Sequence, residues 1–233
     1  MRTETKIITA ILAFTAIVIF GGILVVKNNF ADQNQPKDYS KYIETGLNLD
    51  KTKIAREYNP KITGSGKTTA TTTIHITEFL DYECPACATN GEIITKALLA
   101  TYGPNITITR KIFPVHGQAS IDVASLVLAS QVLGGEAYQK IHTKVYEEFN
   151  NWSILGKKDK DEYLKKLITG LGYDYEKILT ESKNEKYIKQ IEQDKQDAVD
   201  LGIKATPSFV IENHTRITGG LPLEEISKYI DAK

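Results

Sequence analysis

The chain has 233 residues, and 29 lysines and arginines balance 29 aspartates and glutamates, so its formal net charge is zero. A chain of this length forms one domain with a substantial hydrophobic core. The balanced charge gives no indication of nucleic acid or of an anionic surface as a partner.

The first predicted element is a membrane anchor. Residues 7–26 form an uncharged run that is preceded by Arg2 and Lys6 and followed by Lys27. As a helix rising about 1.5 Å per residue, the run spans about 30 Å, the thickness of a bilayer core. It is longer than the apolar part of a cleaved signal and no small-residue cleavage site follows it, so we expect residues 1–27 to be an uncleaved signal anchor. A cleaved signal peptide is the alternative; either way the rest of the chain is extracytoplasmic, in the periplasm or at the cell exterior.

A linker and then a folded domain follow the anchor. Residues 28–72 are polar and irregularly patterned, and they are predicted to form a stalk or linker. The predicted domain covers residues 73–233. It begins with a β-rich apolar run over residues 74–80, a helical pattern over 84–102 and a second strand over 106–113. A strand, a helix and a strand in this order form a βαβ unit.

The second half of the domain is predicted to contain a helical insertion. The pattern is helical from about residue 117 to 201, and a β-hairpin follows over residues 207–218. Asn213 is expected to take the positive φ of the hairpin turn. A last helix places Leu223, Ile226 and Ile230 on one face. The predicted fold class is therefore α/β, with two half-sheets flanking the insertion.

The only two cysteines, Cys84 and Cys87, form a Cys-Pro-Ala-Cys motif between the first strand and the first helix. Pro85 suits the first helical position, so Cys84 is expected at the N-cap. The free N–H groups and partial positive charge of a helix N-terminus favour the thiolate of Cys84, and Cys87 lies close enough to form a disulfide with it. A redox pair is expected. A metal site or an inert pair is the alternative, although the four histidines show no paired ligand spacing for zinc.

Three features resemble the DsbA-like thiol:disulfide oxidoreductases of the thioredoxin superfamily, in particular their membrane-anchored members. They are the segments Phe79-Leu80-Asp81-Tyr82-Glu83-Cys84-Pro85-Ala86-Cys87 and Ala205-Thr206-Pro207-Ser208-Phe209, and the helical insertion. The resemblance covers about residues 74–233 and implies a thioredoxin-like fold, preceded here by a transmembrane helix. It also implies a cis Thr206–Pro207 bond beside the cysteines, with the backbone of Thr206 binding an extended substrate segment.

The resemblance also implies a role for each site residue. Cys84 is the attacking sulfur, and Cys87 is the sulfur that resolves the mixed disulfide. Glu78 lies where the family has a buried carboxyl, so we expect it to have a raised pKa and to act as a base for Cys87. A glutamate facing solvent on an edge strand is the alternative. No cofactor and no bound metal is expected.

Two residues, one inside the motif and one directly before it, set this sequence apart from the strongest oxidant of the family. Ala86 stands where that protein has a histidine, and Glu83 adds a negative charge directly before Cys84. Both changes are expected to leave the thiolate less stabilised and the disulfide only moderately oxidising. His116, after the second strand, is expected to be a satisfied structural histidine rather than a site residue.

The expected function is oxidation of dithiols in exported proteins by a monomer. The resemblance implies that a membrane redox partner of the quinone-reductase type regenerates its disulfide. A reductase or isomerase fed by a membrane electron donor is the alternative within the same chemistry. The alternative from a different functional class is a Cu(I) carrier that binds the metal through the two thiolates.

Overall fold

The computed structural model describes residues 37–65 and 73–231. The predicted signal anchor lies outside these residues. Within them, no helix has both the length and the apolar character that a membrane span requires.

The helices and strands follow one another in this order. Strands β1 (Ile43–Glu44) and β2 (Lys61–Thr63) flank helix α1 (Lys51–Ile54), and strand β3 (Ile74–Leu80) leads to the helix that carries the cysteines, which ends as α2 (Glu92–Tyr102). After strand β4 (Ile106–Ile112) come helices α3 (Gln118–Ala129), α4 (Gly135–Glu147), α5 (Phe149–Trp152), α6 (Lys157–Gly170), α7 (Tyr175–Ser182) and α8 (Glu185–Asp200). Strands β5 (Ser208–Ile211) and β6 (Thr215–Thr218) form a hairpin, and helix α9 (Leu223–Asp231) follows it.

The strands form one mixed sheet in the order β1-β6-β5-β3-β4-β2. Strand β3 lies inside the sheet, where it pairs parallel with β4 and antiparallel with β5. The βαβ unit, the hairpin and the last helix are therefore confirmed. The helices from residue 118 to 200 connect β4 to β5, in the region that the sequence predicts as an insertion.

Part of the segment predicted to be a stalk belongs to the sheet. β1 extends one edge by pairing antiparallel with β6, and β2 extends the other by pairing antiparallel with β4. These strands are only two and three residues long and mostly polar, so their hydrophobic pattern is too short to be recognised in the sequence. Backbone pairing with the neighbouring strands, rather than a local pattern, defines them.

The hairpin turn also differs from the expectation. Glu212, rather than Asn213, has the positive φ, 54°. Its carboxylate accepts a hydrogen bond from the His75 N–H at 2.7 Å, and its own N–H donates to the His75 carbonyl oxygen at 2.8 Å. These contacts with the neighbouring strand hold a conformation that local propensity assigns to asparagine.

The central strand β3 is buried on both faces. Ile76 packs with side chains of α2 and α9 on one face, while Phe79 packs with side chains of α1 and α8 on the other. Glu78 points to the same face as Ile76, and its partner across the parallel pairing is Arg110 of β4. Because alternate residues face opposite layers, the consecutive cations Arg110 and Lys111 are buried on different sides of the sheet.

A buried ionic cluster joins the N-terminal segment to α8. The Lys111 ammonium lies 2.5 Å from Asp197 and 3.3 Å from Asp194, and all three side chains are fully buried. Arg56 donates to both oxygens of Asp197, at 2.6 and 2.5 Å, and Asn59 donates to Asp194 at 3.0 Å. The cluster therefore fastens residues 51–60 to the same face of the sheet that α8 covers.

Replacing Lys111 by methionine should lower the free energy of unfolding by about 3–5 kcal/mol, because two buried aspartates lose their common cation. Urea unfolding followed by circular dichroism measures the change. Lys195→Met, on the exposed side of α8, is the matched control and should leave the midpoint nearly unchanged. Equal stability of the two variants would mean that the cluster does not hold the segment.

Candidate active site

The helix that carries the cysteines begins as the sequence predicts and then departs from regular α-helical geometry. Cys84 directly precedes it and Pro85 is its first residue. The Cys84 carbonyl oxygen accepts the N–H groups of Cys87 at 3.1 Å and of Ala88 at 3.2 Å. From Cys87 to Gly91 the helix makes a π-helical turn before it continues as α2. We call residues 85–102 the cysteine helix.

Gly91 allows the π-helical turn to approach the sheet closely. A Cβ atom at this position would lie 3.2 Å from Pro207 Cβ and 3.4 Å from Glu78 Oε1. The missing side chain therefore brings the turn that begins at Cys87 directly over Glu78. π-helical turns often mark functional sites, and the sequence gives no signal for this one.

The loop before β5 lies against the first cysteine. The Thr206–Pro207 peptide bond is cis, as the resemblance implies. The Thr206 carbonyl oxygen lies 3.4 Å from Cys84 Sγ. The structure thus brings together the two segments of the predicted site that lie more than a hundred residues apart.

The two free cysteines are buried, and their surroundings drive their pKa values apart. A hydrogen bond from the Cys87 thiol outweighs the effect of burial and, with backbone N–H groups at Cys87 and Ala86, lowers the pKa of Cys84 to about 5. Burial raises the pKa of Cys87 well above its usual range, and the neighbouring Cys84 sulfur raises it further. At neutral pH, Cys84 is therefore a thiolate and Cys87 a thiol.

Asp81 fixes the turn that precedes Cys84. Its buried carboxylate accepts the N–H groups of Glu83 at 2.9 Å, Val115 at 2.8 Å and His116 at 3.1 Å, and its carbonyl oxygen accepts the Cys84 N–H at 3.1 Å. His116 Nδ1 also lies 2.8 Å from this carboxylate. His116 is thus bonded as a structural residue, in agreement with the sequence interpretation.

Glu83 is paired, contrary to the expectation that it adds an uncompensated charge. Its carboxylate lies 2.5 Å from Lys160 Nζ, and the two side chains are only 10% and 11% exposed. The Lys160 ammonium also lies 5.3 Å from the centre of the Trp152 ring. The cation therefore offsets the effect of Glu83 on the nearby thiolate. Because Lys160 lies on α6, no local pattern in the sequence reveals the pair.

Glu78 is buried beneath the cysteine helix, with 1% of its surface exposed, so the interpretation as a solvent-facing residue is wrong. Its Oε2 lies 3.5 Å from Arg110 Nε. Burial raises the pKa of Glu78 to about 7, although the Arg110 charge opposes the shift. A buried carboxyl that titrates near neutrality is suited to exchange a proton.

Sequence patterns alone do not reveal the polar side chains that surround Glu78. Arg110 on β4, Glu92 at the start of α2 and His142 on α4 are all buried. Two consecutive cations inside an apolar strand, Arg110 and Lys111, are the one signal that could have indicated buried charge. Glu92 and His142 stand in helical patterns beside Ile93 and Ile141, where either residue is compatible with a solvated face.

Comparisons with known proteins agree with this architecture. A family model described as thioredoxin matches residues 59–232. No curated protein matches the chain by sequence. The chain is similar in structure to BdbD from Bacillus subtilis, with a TM-score of 0.65 and 18% identity over 81% of this chain and 97% of that one.

Two further structures are similar. The thiol-disulfide exchange protein alpha-DsbA2 from Wolbachia pipientis has a TM-score of 0.63 and 23% identity over 78% of this chain and 90% of its own. A periplasmic thioredoxin-like protein from Salmonella enterica serovar Typhimurium has a TM-score of 0.61 and 18% identity, over 78% and 93%. These likenesses confirm the expected thioredoxin-like fold.

Removing the cation that pairs with Glu83 should destabilise the Cys84 thiolate. In Lys160→Met the Glu83 carboxylate is left unpaired next to Cys84, so the pKa of Cys84 should rise by about half a pH unit. The rate of alkylation of the reduced protein, measured against pH, gives this pKa. Lys158→Met, on the exposed part of α6, is the control and should leave it unchanged. A lowered or unaltered pKa in Lys160→Met would contradict the pairing argument.

Proposed function

Because this chain belongs to the thioredoxin family through residues 59–232, we propose that it is an extracytoplasmic thiol:disulfide oxidoreductase whose Cys84–Cys87 pair oxidises dithiols in exported proteins. The observation that carries the proposal is the unequal pKa of the two thiols: the buried thiol of Cys87 stabilises a thiolate at Cys84. A thiolate at the tip of a helix is the reactive group in thiol–disulfide exchange.

In the oxidising direction, a substrate thiolate attacks Cys84 Sγ in the Cys84–Cys87 disulfide. This bond breaks, Cys87 leaves as a thiolate that takes up a proton, and a mixed disulfide joins the substrate to Cys84. A second substrate thiolate then attacks the substrate sulfur, and Cys84 leaves as a thiolate with the electron pair. The substrate gains a disulfide, and the protein retains two electrons in its reduced pair.

Glu78 is the proposed partner for the proton at Cys87. Its carboxyl lies beneath the turn that begins at Cys87, against Gly91, and burial sets its pKa near 7. A group with a pKa close to the ambient pH can both release and accept a proton. A water molecule between the two groups is the proposed carrier.

The loop containing Thr206 and Pro207 is the proposed binding place for an extended substrate segment. The Thr206 carbonyl oxygen lies 3.4 Å from Cys84 Sγ, so a strand bound to this backbone would pass over the reactive sulfur. A membrane redox partner of the quinone-reductase type is proposed to accept the electrons, and the signal anchor predicted at residues 1–27 is proposed to hold the domain at that membrane. The similarity to a protein described as periplasmic supports the location.

The stability of the thiolate favours an oxidase. A disulfide becomes more oxidising as the thiolate of its reduced form becomes more stable. The low pKa of Cys84 and the pairing of Glu83 with Lys160 both act in this direction. A reductase or isomerase would use the same residues but would need a lower reduction potential.

Replacing the resolving cysteine should trap substrates. In Cys87→Ala the Cys84 thiolate still attacks disulfides of exported proteins and displaces one of their two sulfurs as a thiolate. No Cys87 is present to displace the substrate from the resulting mixed disulfide, so mixed disulfides should accumulate. Non-reducing electrophoresis of whole cells, followed by reduction, detects them. Cys84→Ala is the matched control and should trap few partners, because the remaining Cys87 thiol is buried and protonated. Equal trapping by the two variants would contradict the assigned roles.

A further inference from the structure

A buried cluster of ionisable side chains lies beneath the cysteine helix. It contains two carboxyls, Glu78 and Glu92, on either side of a single guanidinium, Arg110, and all three are buried. Arg110 Nε lies 3.5 Å from Glu78 Oε2, and Arg110 Nη2 lies 3.7 Å from Glu92 Oε2. If both carboxyls were ionised, the buried part of the cluster would carry an uncompensated negative charge, which is strongly unfavourable away from water. One carboxyl therefore holds a proton at neutral pH.

Hydrogen bonds determine which carboxyl is ionised. Glu92 accepts a bond from Thr143 Oγ1 at 3.1 Å and lies 3.1 Å from His142 Nε2. The Lys96 ammonium lies 3.6 Å from it on the solvent side. By contrast, Glu78 Oε2 has no hydrogen-bond partner within the described residues. A carboxyl whose oxygens accept several donors ionises more readily than one with an unpaired oxygen, so the negative charge belongs to Glu92.

His142 acts towards Glu92 as a neutral donor. Its Nδ1 lies 2.8 Å from the Tyr82 hydroxyl, and its Nε2 faces Glu92. Because a carboxylate can only accept, the proton is on Nε2, and Nδ1 accepts a bond from the Tyr82 O–H. Burial, together with the Arg110 charge, lowers the pKa of His142 to about 4. The imidazole therefore brings a hydrogen bond but no charge at neutral pH.

We propose that Glu92 is a positioning residue for the proton step: it holds the negative charge of the cluster beside Arg110 and thereby keeps the transferable proton on Glu78. The inference rests on the proposed function, in which Glu78 exchanges a proton with Cys87. When Cys87 attacks Cys84 in a mixed disulfide, its S–H proton passes to ionised Glu78 and the Cys84–Cys87 bond forms. The partner sulfur leaves with the electron pair of the broken bond.

The charges around the two carboxyls agree with a protonated Glu78 and an ionised Glu92. Burial raises the pKa of Glu78 to about 7, Arg110 opposes the shift and Glu92 adds to it. Burial also acts to raise the pKa of Glu92. The hydrogen bond from His142 and the charges of Arg110 and Lys96 outweigh burial, so the pKa of Glu92 is lowered. The other titratable groups near Glu78 are neutral at physiological pH, because burial raises the pKa of each: Cys87, Tyr82, Tyr138 and Tyr146.

The test is the pH dependence of glutathione release from the Cys84 mixed disulfide. Release follows the mixing of reduced full-length protein with oxidised glutathione. In the unmodified protein the rate should rise with pH through a midpoint near 7, as Glu78 loses its proton. In Glu92→Gln, Arg110 is balanced by Glu78 alone, so the midpoint should move to lower pH by at least about one unit. A merely structural role of Glu92 would change the rate or the stability without moving the midpoint.

Two controls isolate the effect. Glu147→Gln removes a carboxylate that lies 3.3 Å from the same Lys96 but is half exposed, and it should leave the midpoint in place. In Glu78→Gln the transition near neutrality should be absent, and adding Glu92→Gln should shift nothing further. An unshifted midpoint in Glu92→Gln, or an equal shift in Glu147→Gln, would overturn the inference.

A measurement on the unmodified protein keeps the inference testable if Glu92→Gln does not fold. Carbon-13 NMR of the glutamate carboxyls should show Glu78 titrating near neutral pH in the reduced protein while Glu92 remains ionised. The reverse assignment would overturn the inference. If glutathione forms no mixed disulfide with the unmodified protein, the proposed function fails, and the NMR titration still determines which carboxyl holds the proton.

Discussion

The structure depends on the burial of the β3–β4 pair on both faces, because this burial takes two consecutive cations of β4 out of water on opposite sides of the sheet. On the α8 side, Lys111 meets two aspartates, and Arg56 supplies a second cation that balances them. On the side of the cysteine helix, Arg110 also meets two carboxyls, but the only other cation paired with them among the described residues, Lys96, is half exposed. Water weakens its effect, so this side retains a proton. The same strand pair thus provides an attachment for the N-terminal segment on one face and a buried carboxyl with a pKa near 7 on the other.

The cysteine helix connects this interior to the surface. Its π-helical turn and Gly91 bring the backbone next to Pro207 and Glu78, so the turn that begins at Cys87 lies above the buried carboxyl. Its first turn leaves Cys84 against the Thr206 carbonyl oxygen. The two sulfurs are three residues apart, yet burial keeps Cys87 protonated, and its hydrogen bond in turn stabilises the Cys84 thiolate. The two cysteines differ in protonation state at neutral pH because their surroundings differ.

Local sequence signals account for the parts of the molecule that could be predicted from the sequence. Long-range contacts account for the parts that could not. The Ile74–Leu80 strand, the helix start at Pro85 and the hairpin have strong local patterns, and the structure confirms them. Strand β1 and the positive φ of Glu212 depend on pairing with distant strands, so local propensity does not reveal them. The pairing of Glu83 with Lys160 joins residues on different elements. The sequence shows Glu83 beside Cys84 but not its distant partner, so the expectation of an uncompensated negative charge at Glu83 was wrong.

The equilibrium of the Cys84–Cys87 disulfide with glutathione tests the central claim most directly. The pKa of Cys84, about 5, is roughly two units below the value of about 7 for the attacking cysteine of thioredoxin. At neutral pH, where a thiol with a pKa of about 7 is already half ionised, this difference corresponds to about 2.3 kcal/mol, or about 50 mV for a two-electron couple. We therefore predict a reduction potential of about −220 mV or higher, against about −270 mV for thioredoxin. A potential at or below that of thioredoxin would contradict an oxidase and indicate a reductase.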